Sequence, residues 1–225
     1  MSRTLFFLLL CCCWPLIGLT QQVVEKKPSR NPELEGIILT YHADFLQGLP
    51  GAPVDFKEGR SGGLSLSILG NLKFGPQSNW SLAAGLGMSN RHYFTNIQDW
   101  TVTNGLYPDT TSFKNKHVVT TLELPVEIRF TTKPKGNLKP FKFVAGFNFG
   151  YVIGFRHKWV QGRLVNIVSG DASNLALIDW RPGLNGRIGY HRMAVSGYYG
   201  LTELFGGSAV YRNVRPWSVG LSLTL

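Results

Sequence analysis

The sequence predicts an all-β fold: a transmembrane eight-stranded antiparallel up-and-down β-barrel with short periplasmic turns and long extracellular loops. Three observations carry that reading. A two-residue hydrophobic period is sustained over long segments, long and short connections alternate, and a leader stands ahead of a chain with no further apolar helix. The period is clearest in two neighbouring runs. Across Val118–Phe130 the even positions are Val118, Thr120, Leu122, Leu124, Val126, Ile128 and Phe130, and the odd ones include Thr121, Glu123, Pro125, Glu127 and Arg129. Across the next run, Phe141, Phe143, Ala145, Phe147, Phe149, Tyr151, Ile153 and Phe155 share one face, opposite Lys142, Gly146, Asn148, Gly150, Gly154 and Arg156. A period of two belongs to a β-strand. At about 13–15 residues these runs exceed the usual globular strand and suit a tilted strand that crosses a bilayer. Rings then face lipid and charges face the inside of a closed barrel. A closed barrel is also the one spanning sheet that leaves no edge unpaired.

The elements follow in chain order. Residues 1–20 read as a signal peptide: Arg3, the apolar stretch Leu5–Leu19, and small residues at Gly18 and Thr20. Residues 21–34 are expected to be a periplasmic N-terminal segment and residues 35–225 the barrel domain. The strands are predicted at Glu35–Gln47, Ser61–Phe74, Trp80–Tyr93, His117–Phe130, Phe141–Lys158, Ala176–Tyr190, Met193–Leu204 and Pro216–Leu225. Leu64, Leu66, Ile68 and Leu72 alternate with Ser65, Ser67, Asn71 and Lys73, and Leu82, Leu86 and Met88 with Ser81, Gly87 and Ser89. Leu184 and Ile188 alternate with Asn185 and Arg187, and Val219, Leu221 and Leu223 with Gly220, Ser222 and Thr224. The first strand is less regular, with Ile37, Leu39, Tyr41 and Phe45 outside and Ile38 inside. Connections 48–60, 94–116, 159–175 and 205–215 are expected to be outer loops, and 75–79, 131–140 and 191–192 to be turns. Aromatics gather at both rims: Phe74, Trp80, Phe130, Phe141 and Tyr190 at one, Phe45, Phe155, Trp180 and Trp217 at the other.

Composition narrows the chemistry. The three cysteines, Cys11, Cys12 and Cys13, all lie in the leader, so the remainder has no thiol, disulfide or cysteine metal site. The five histidines are scattered without ligand spacing, and no HExxH, phosphate loop or calcium loop occurs. No cofactor, metal or catalytic set is expected. The chain has 23 basic and 13 acidic residues; Arg3 is the leader's only charge, which leaves a balance of +9. The signs are interspersed, with basic residues at strand ends and in loops, so the partner expected is anionic lipid and lipopolysaccharide rather than nucleic acid.

The interior carries the polar candidates. Glu123, Glu127, Arg129, Asp179, Arg181 and Arg187 are expected to form a lumenal ion-pair network, with Lys73, Arg91, Lys142 and Arg156 adding positive charge. Eight strands enclose little more than side chains, and buried charges are tolerated when paired. Small Gly146, Gly150 and Gly154 leave room for long neighbours. Pro125 lacks a donor and is read as a local bulge. Trp100, Tyr107 and Phe113 in one long loop, with Trp159, Leu164 and Ile167 in the next, form a candidate interaction surface. Were the protein a lipid-active enzyme, His157, Ser169, Asp171 and Ser173 would be the candidates, but no nucleophile motif surrounds them.

Several segments resemble a known family. Phe113-Lys114-Asn115-Lys116 and Thr121-Leu122-Glu123-Leu124-Pro125-Val126-Glu127-Ile128-Arg129-Phe130, then Ala145-Gly146-Phe147 with Gly150-Tyr151, and Gly197-Tyr198-Tyr199-Gly200-Leu201-Thr202 with Leu204-Phe205, resemble the Bacteroidota PorT-like, or outer membrane protein β-barrel domain, family of porin-like proteins. Ser218, Gly220, Leu223 and Leu225 resemble the terminal signal read by the outer-membrane assembly machinery, with leucine in place of the usual last aromatic. The resemblance covers roughly residues 60–225. It implies an outer-membrane location, contact with the assembly machinery, and a secretion or envelope protein partner. It implies a type IX secretion role only as an alternative to anchoring or binding.

Overall fold

A computed structural model describes residues 36–48, 56, 60–75, 77–95, 114–133, 139–161, 164–170, 178–204 and 213–225. Nine strands run β1 (Ile37–Gln47), β2 (Gly62–Lys73), β3 (Trp80–Phe94), β4 (Lys114–Thr131), β5 (Phe141–Gln161), β6 (Leu164–Gly170), β7 (Trp180–Tyr190), β8 (Met193–Gly200) and β9 (Arg215–Thr224). Each pairs antiparallel with its neighbour, and β1 closes the ring on β9 from Ile38↔Thr224 to Gln47↔Arg215. Eight staves therefore form a closed barrel. The ninth segment, β6, pairs with the upper part of β5, from Phe155↔Gly170 to Gln161↔Leu164, while β7 pairs with the lower part, from Tyr151↔Trp180 to Phe141↔Tyr190. Together β6 and β7 make one interrupted stave. No helix among the described residues is long and apolar enough to cross a membrane.

The connection expected as an outer loop at 159–175 is thus partly strand. It contains the end of β5 and all of β6, so Trp159, Leu164 and Ile167 sit on a β-hairpin. The signal was weak because apolar residues fall on both faces of Leu164–Val168 and hide the alternation. The strand expected to reach Leu204 ends at Gly200. The chain beyond is held by backbone bonds from Leu201 to Pro182 and from Leu204 to Val214 instead. At the opposite end the turns are short. His191 and Arg192 alone join β7 to β8, and His191 takes the left-handed φ of 58° that a two-residue hairpin turn requires.

The outward faces are apolar around the ring. Leu66, Ile68, Leu86, Leu124, Ile128, Phe149, Leu184, Val195 and Leu221 are all exposed, each being the even or odd member that alternation assigns to the outside. Two aromatic girdles flank them. Trp80 packs on Phe130 at 4.9 Å and Phe141 on Tyr190 at 5.0 Å at the short-turn end. Phe45 stacks on Trp217 at 4.3 Å and Tyr151 meets Trp180 at 5.1 Å nearer the long loops. Inside, Ile38, Leu69 and Ala83 form a small apolar floor.

Two expectations about facing are corrected. Thr120 pairs with Gly154 and Thr121 with Val152, so Ile153 is an extra residue on β5. A bulge reverses the phase of whatever follows it. Phe155 is consequently buried and Arg156 exposed, the opposite of strict alternation, and His157 and Lys158 follow suit. Pro125, by contrast, is not a bulge. It faces inward, and the register is the same on either side of it, from Ala84↔Val126 to Gly87↔Glu123, with the pairs between absent. Proline interrupts the β3–β4 ladder without shifting it.

Both results are measurable. The three cysteines all lie at positions 11–13, so once they are replaced single thiols report facing. Arg156→Cys should react quickly with a water-soluble maleimide, and Phe155→Cys only after unfolding; the reverse order would restore the unbulged phase. Separately, Phe149→Lys should lower barrel stability by about 2–4 kcal/mol in vesicle unfolding titrations, because that position faces hydrocarbon.

Candidate functional site

The inward positions of the staves converge on a narrow polar lumen, and Glu127 is the hub of its lower half. Glu127 lies on β4 between two cross-strand neighbours, Ala83 and Gly146. Its Oε2 accepts from Arg129 Nε at 3.0 Å and Nη2 at 2.8 Å, and from Arg187 Nη2 at 2.6 Å. Its Oε1 accepts from Asn185 Nδ2 at 2.8 Å. Arg129 is two residues away on the same face of β4, and Arg187 arrives from β7 across β5. Gly146 leaves the space in which Asn185 and Glu127 meet. A Cβ there would meet Asn185 Oδ1 at 2.6 Å and Glu127 Cγ at 2.9 Å. Charge-assisted bonds at these lengths are the strong kind, and all three charged groups are buried.

Glu123, two inward positions higher beyond Pro125, accepts from Ser89 Oγ at 2.6 Å rather than from an arginine. Above it stands a second cluster. Arg91 on β3 donates to Asp44 Oδ1 on β1, and His42 Nδ1 lies 3.1 Å from the same oxygen. The Arg91 guanidinium also sits 4.6 Å from the centre of the Tyr198 ring, a cation–π distance. Near the long-loop end, His117 and His157 stack with ring centres 4.2 Å apart. They are cross-strand partners, and both are buried.

The lumenal residues expected from sequence divide accordingly. Glu127, Arg129 and Arg187 are joined directly. Glu123 stands apart from them on Ser89. Arg181 is buried on β7, where its Nε donates to the Ile178 carbonyl at 3.4 Å and its guanidinium is hydrogen-bonded to the Tyr93 hydroxyl, not to a carboxylate of the described residues. Asp179 is half-buried ahead of β7, outside the cluster. Lys73 is exposed at the strand end, where its position at the rim lets the ammonium reach water. Arg156 leaves the lumen through the bulge. Sequence reasoning missed His42, Asp44, Tyr93 and Tyr198. The signal was available for the first two, which share the even, inward parity of Ile38.

Of the interaction candidates, Trp100, Tyr107 and Phe113 lie outside the described residues, and Ile167 is exposed on β6. Of the enzyme candidates, His157 is buried against His117, Ser169 lies on β6, and Asp171 and Ser173 fall outside the described residues. No group of three or more potential metal ligands occurs among the described residues.

The space left over is small. A cavity of about 80 Å³ runs between the two clusters, bordered by His42, Arg91, Glu123, Glu127, Arg187 and Tyr198. A water needs ~10–15 Å³ of such space, so the cavity has room for no more than a handful of waters.

Closed ring, apolar exterior, twin girdles and charged lumen together describe a membrane barrel. Residues 40–206 match the model of the family described as outer membrane protein beta-barrel domain. The chain belongs to that family. Its outer-membrane location rests on this membership. A solved structure, that of Ail, the attachment invasion locus protein of Yersinia pestis, is similar at 9% identity with a TM-score of 0.35; the match covers 84% of this chain and 97% of Ail. No curated protein matches the chain.

The hub makes a direct prediction. Glu127→Ala leaves two buried guanidiniums without their acid, and breaking such a pair costs about 3–5 kcal/mol. The urea midpoint of the refolded protein should fall accordingly, and adding Arg187→Met should recover part of the loss. Additive losses in the double variant would show that the two residues do not act on one another.

Proposed function

We propose that this family member is a non-enzymatic, non-conducting barrel that works at its ends, anchoring or binding a partner or supporting assembly or secretion, and not through its lumen. One observation supports the reading: among the described residues two hydrogen-bonded charge clusters and an apolar floor crowd the lumen, and the cavity between the clusters is about 80 Å³. Larger porins keep an aqueous path because more strands enclose more space.

The hairpin of β5 and β6 supports binding at the long-loop end. It carries the sheet past the point where β7 takes over, and β6 pairs on one side only among the described strands. An open strand edge is a template for β-addition by another chain. Trp159, Leu164 and Ile167 belong to this hairpin. With Trp100, Tyr107 and Phe113 they make up the proposed interaction surface for an envelope protein partner. Lipopolysaccharide and anionic lipid are the expected surroundings, and Arg156 and Lys158, exposed on the outer face, suit that contact.

The resemblance of residues 113–130 and 197–205 to the PorT-like branch supports a second reading, an accessory part in type IX secretion. It concerns the same surfaces with a different partner.

Planar-bilayer recording tests the proposal. The purified protein should give no large, steady conductance; a stable open level would restore a channel. Native pull-downs should keep a specific partner with the intact chain and lose it when Trp159, Leu164 and Ile167 are replaced together by serine, with the barrel still folded.

A further inference from the structure

The short-turn end of the barrel carries cations without acids. Its three turns, taken with their strand ends as residues 70–80, 131–142 and 189–194, contain Lys73, Lys133, Lys135, Lys139, Lys142 and Arg192 and neither aspartate nor glutamate. Lys73, Lys133, Lys139 and Arg192 are exposed, and none of the four takes part in an ion pair among the described residues. Glu35, the acid nearest in sequence to a strand end at this rim, lies outside the described residues. Charges of one sign scattered over a surface serve solubility. These are gathered at one depth.

Hydrogen bonds lace the turns together and tie them to the aromatic girdle. Thr131 N donates to the Asn79 carbonyl, which joins the end of β4 to the turn between β2 and β3. His191 N donates to the Pro140 carbonyl, which joins the turn between β7 and β8 to the chain entering β5. Lys139 and Arg192 flank that bond, one residue from either end of it. Lys139 N also donates to the Tyr190 hydroxyl at 3.0 Å, and the Tyr190 ring packs on Phe141. Lys73 precedes the exposed Phe74, and Lys133 stands three residues past Phe130, which packs on Trp80. A strand rises about 3.3 Å per residue, so each cation starts within about 10 Å of a girdle ring. The headgroup layer is about 5–8 Å deep on each side of the hydrocarbon, and lysine and arginine stems extend to put their charge there. The four cations are thus held at headgroup depth, beside the bilayer and not out in solution.

We propose, resting on the reading of anionic lipid as the barrel's surroundings, that the rim of Lys73, Lys133, Lys139 and Arg192 binds anionic phospholipid of the leaflet that the short turns border. Lys139 and Arg192, brought together by the bond between His191 and Pro140, share one headgroup phosphate; Lys73 and Lys133 hold further lipids around the rim. Guanidinium and ammonium are the groups that recognise phosphate, and with no acid in the three turns nothing on them competes for the cations. Depth selects lipid over a soluble acidic protein, which would have to reach the same charges through the headgroups.

The test takes the protein refolded in detergent, adds phosphatidylglycerol or phosphatidylcholine with the same chains, and counts retained lipid by native mass spectrometry. A cation near an anionic surface is worth about fivefold in binding. The wild type should therefore prefer phosphatidylglycerol clearly, and Lys139→Gln or Arg192→Gln should each lower that preference about fivefold. Lys73→Gln, Lys133→Gln, Lys139→Gln and Arg192→Gln combined should abolish it, and the single variants decide the matter should the combined one not refold. Arg156→Gln with Lys158→Gln, at the other end, should leave it unchanged. Equal retention of the two lipids by the wild type overturns the proposal. So does a preference that survives the combined variant or falls with Arg156 and Lys158 instead. Capture of polyglutamate without any lipid preference would overturn it too, and make the rim a docking surface for acidic protein. Insertion of the same protein into phosphatidylcholine vesicles is followed separately. Failure there sinks the membrane reading and the proposal with it, whereas insertion without a lipid preference sinks the proposal alone.

Discussion

The rest of the structure depends on one constraint: in hydrocarbon, every backbone N–H and C=O must find its partner within the sheet. The chain meets it by pairing β1 with β9 over ten residues, from Ile38 to Gln47. Once the ring is closed, each residue has only two directions to face. Outward, apolar side chains meet lipid. Inward, eight staves leave a space so narrow that whatever enters must pack. A polar inner face is therefore committed to bonding with itself, because there is too little room for bulk water. The Glu127 hub, the Asp44–Arg91 pair and the Ser89–Glu123 bond are consequences of that closure.

Packing in the lumen works by contrast of size. Long arginines on β3, β4 and β7 reach inward, while β5 between β4 and β7 presents Gly146 and Gly150. Asn185 meets Glu127 across β5 over Gly146, where a Cβ would press on both side chains. A residue chosen for smallness on one stave and a charge chosen for reach on the next are a single device. Neither is intelligible from its own strand alone.

That dependence explains what the sequence made legible. Strand existence and outward facing follow from local alternation, so Leu122–Phe130 and Phe141–Ile153 could be read residue by residue. The lumenal acids and arginines were legible as inward-facing, because parity assigns them. Their partners were not, since pairing depends on stagger between staves. Glu127 found Arg187, but Arg181 and Asp179, assigned to the same group, did not join it. His42 and Asp44 went unread because the first strand, with Ile38 inside and Leu39 outside, weakens its own pattern. β6 was hidden for the opposite reason, having apolar residues on both faces. The reversal at Ile153 left no local mark at all, since Ile153, Phe155 and His157 look continuous with the alternation before them.

The bulge has an electrostatic rationale that joins these threads. Had β5 kept its phase, Arg156 and Lys158 would point into the lumen. Both would then be buried beside a set of groups that already carries one more cation than acid. Among the described residues the excess would rise from one to three, with no further buried carboxylate to absorb it. One extra residue turns both cations outward at the end of the barrel, where they can reach water and headgroups. Phe155 and His157 fill the vacated positions, and His157 stacks on His117. The extra residue also falls where β5 passes from pairing with β7, which ends at Tyr151, to pairing with β6, which begins at Phe155. A single insertion in the ladder thus limits the charge inside the barrel at the point where β5 changes partner.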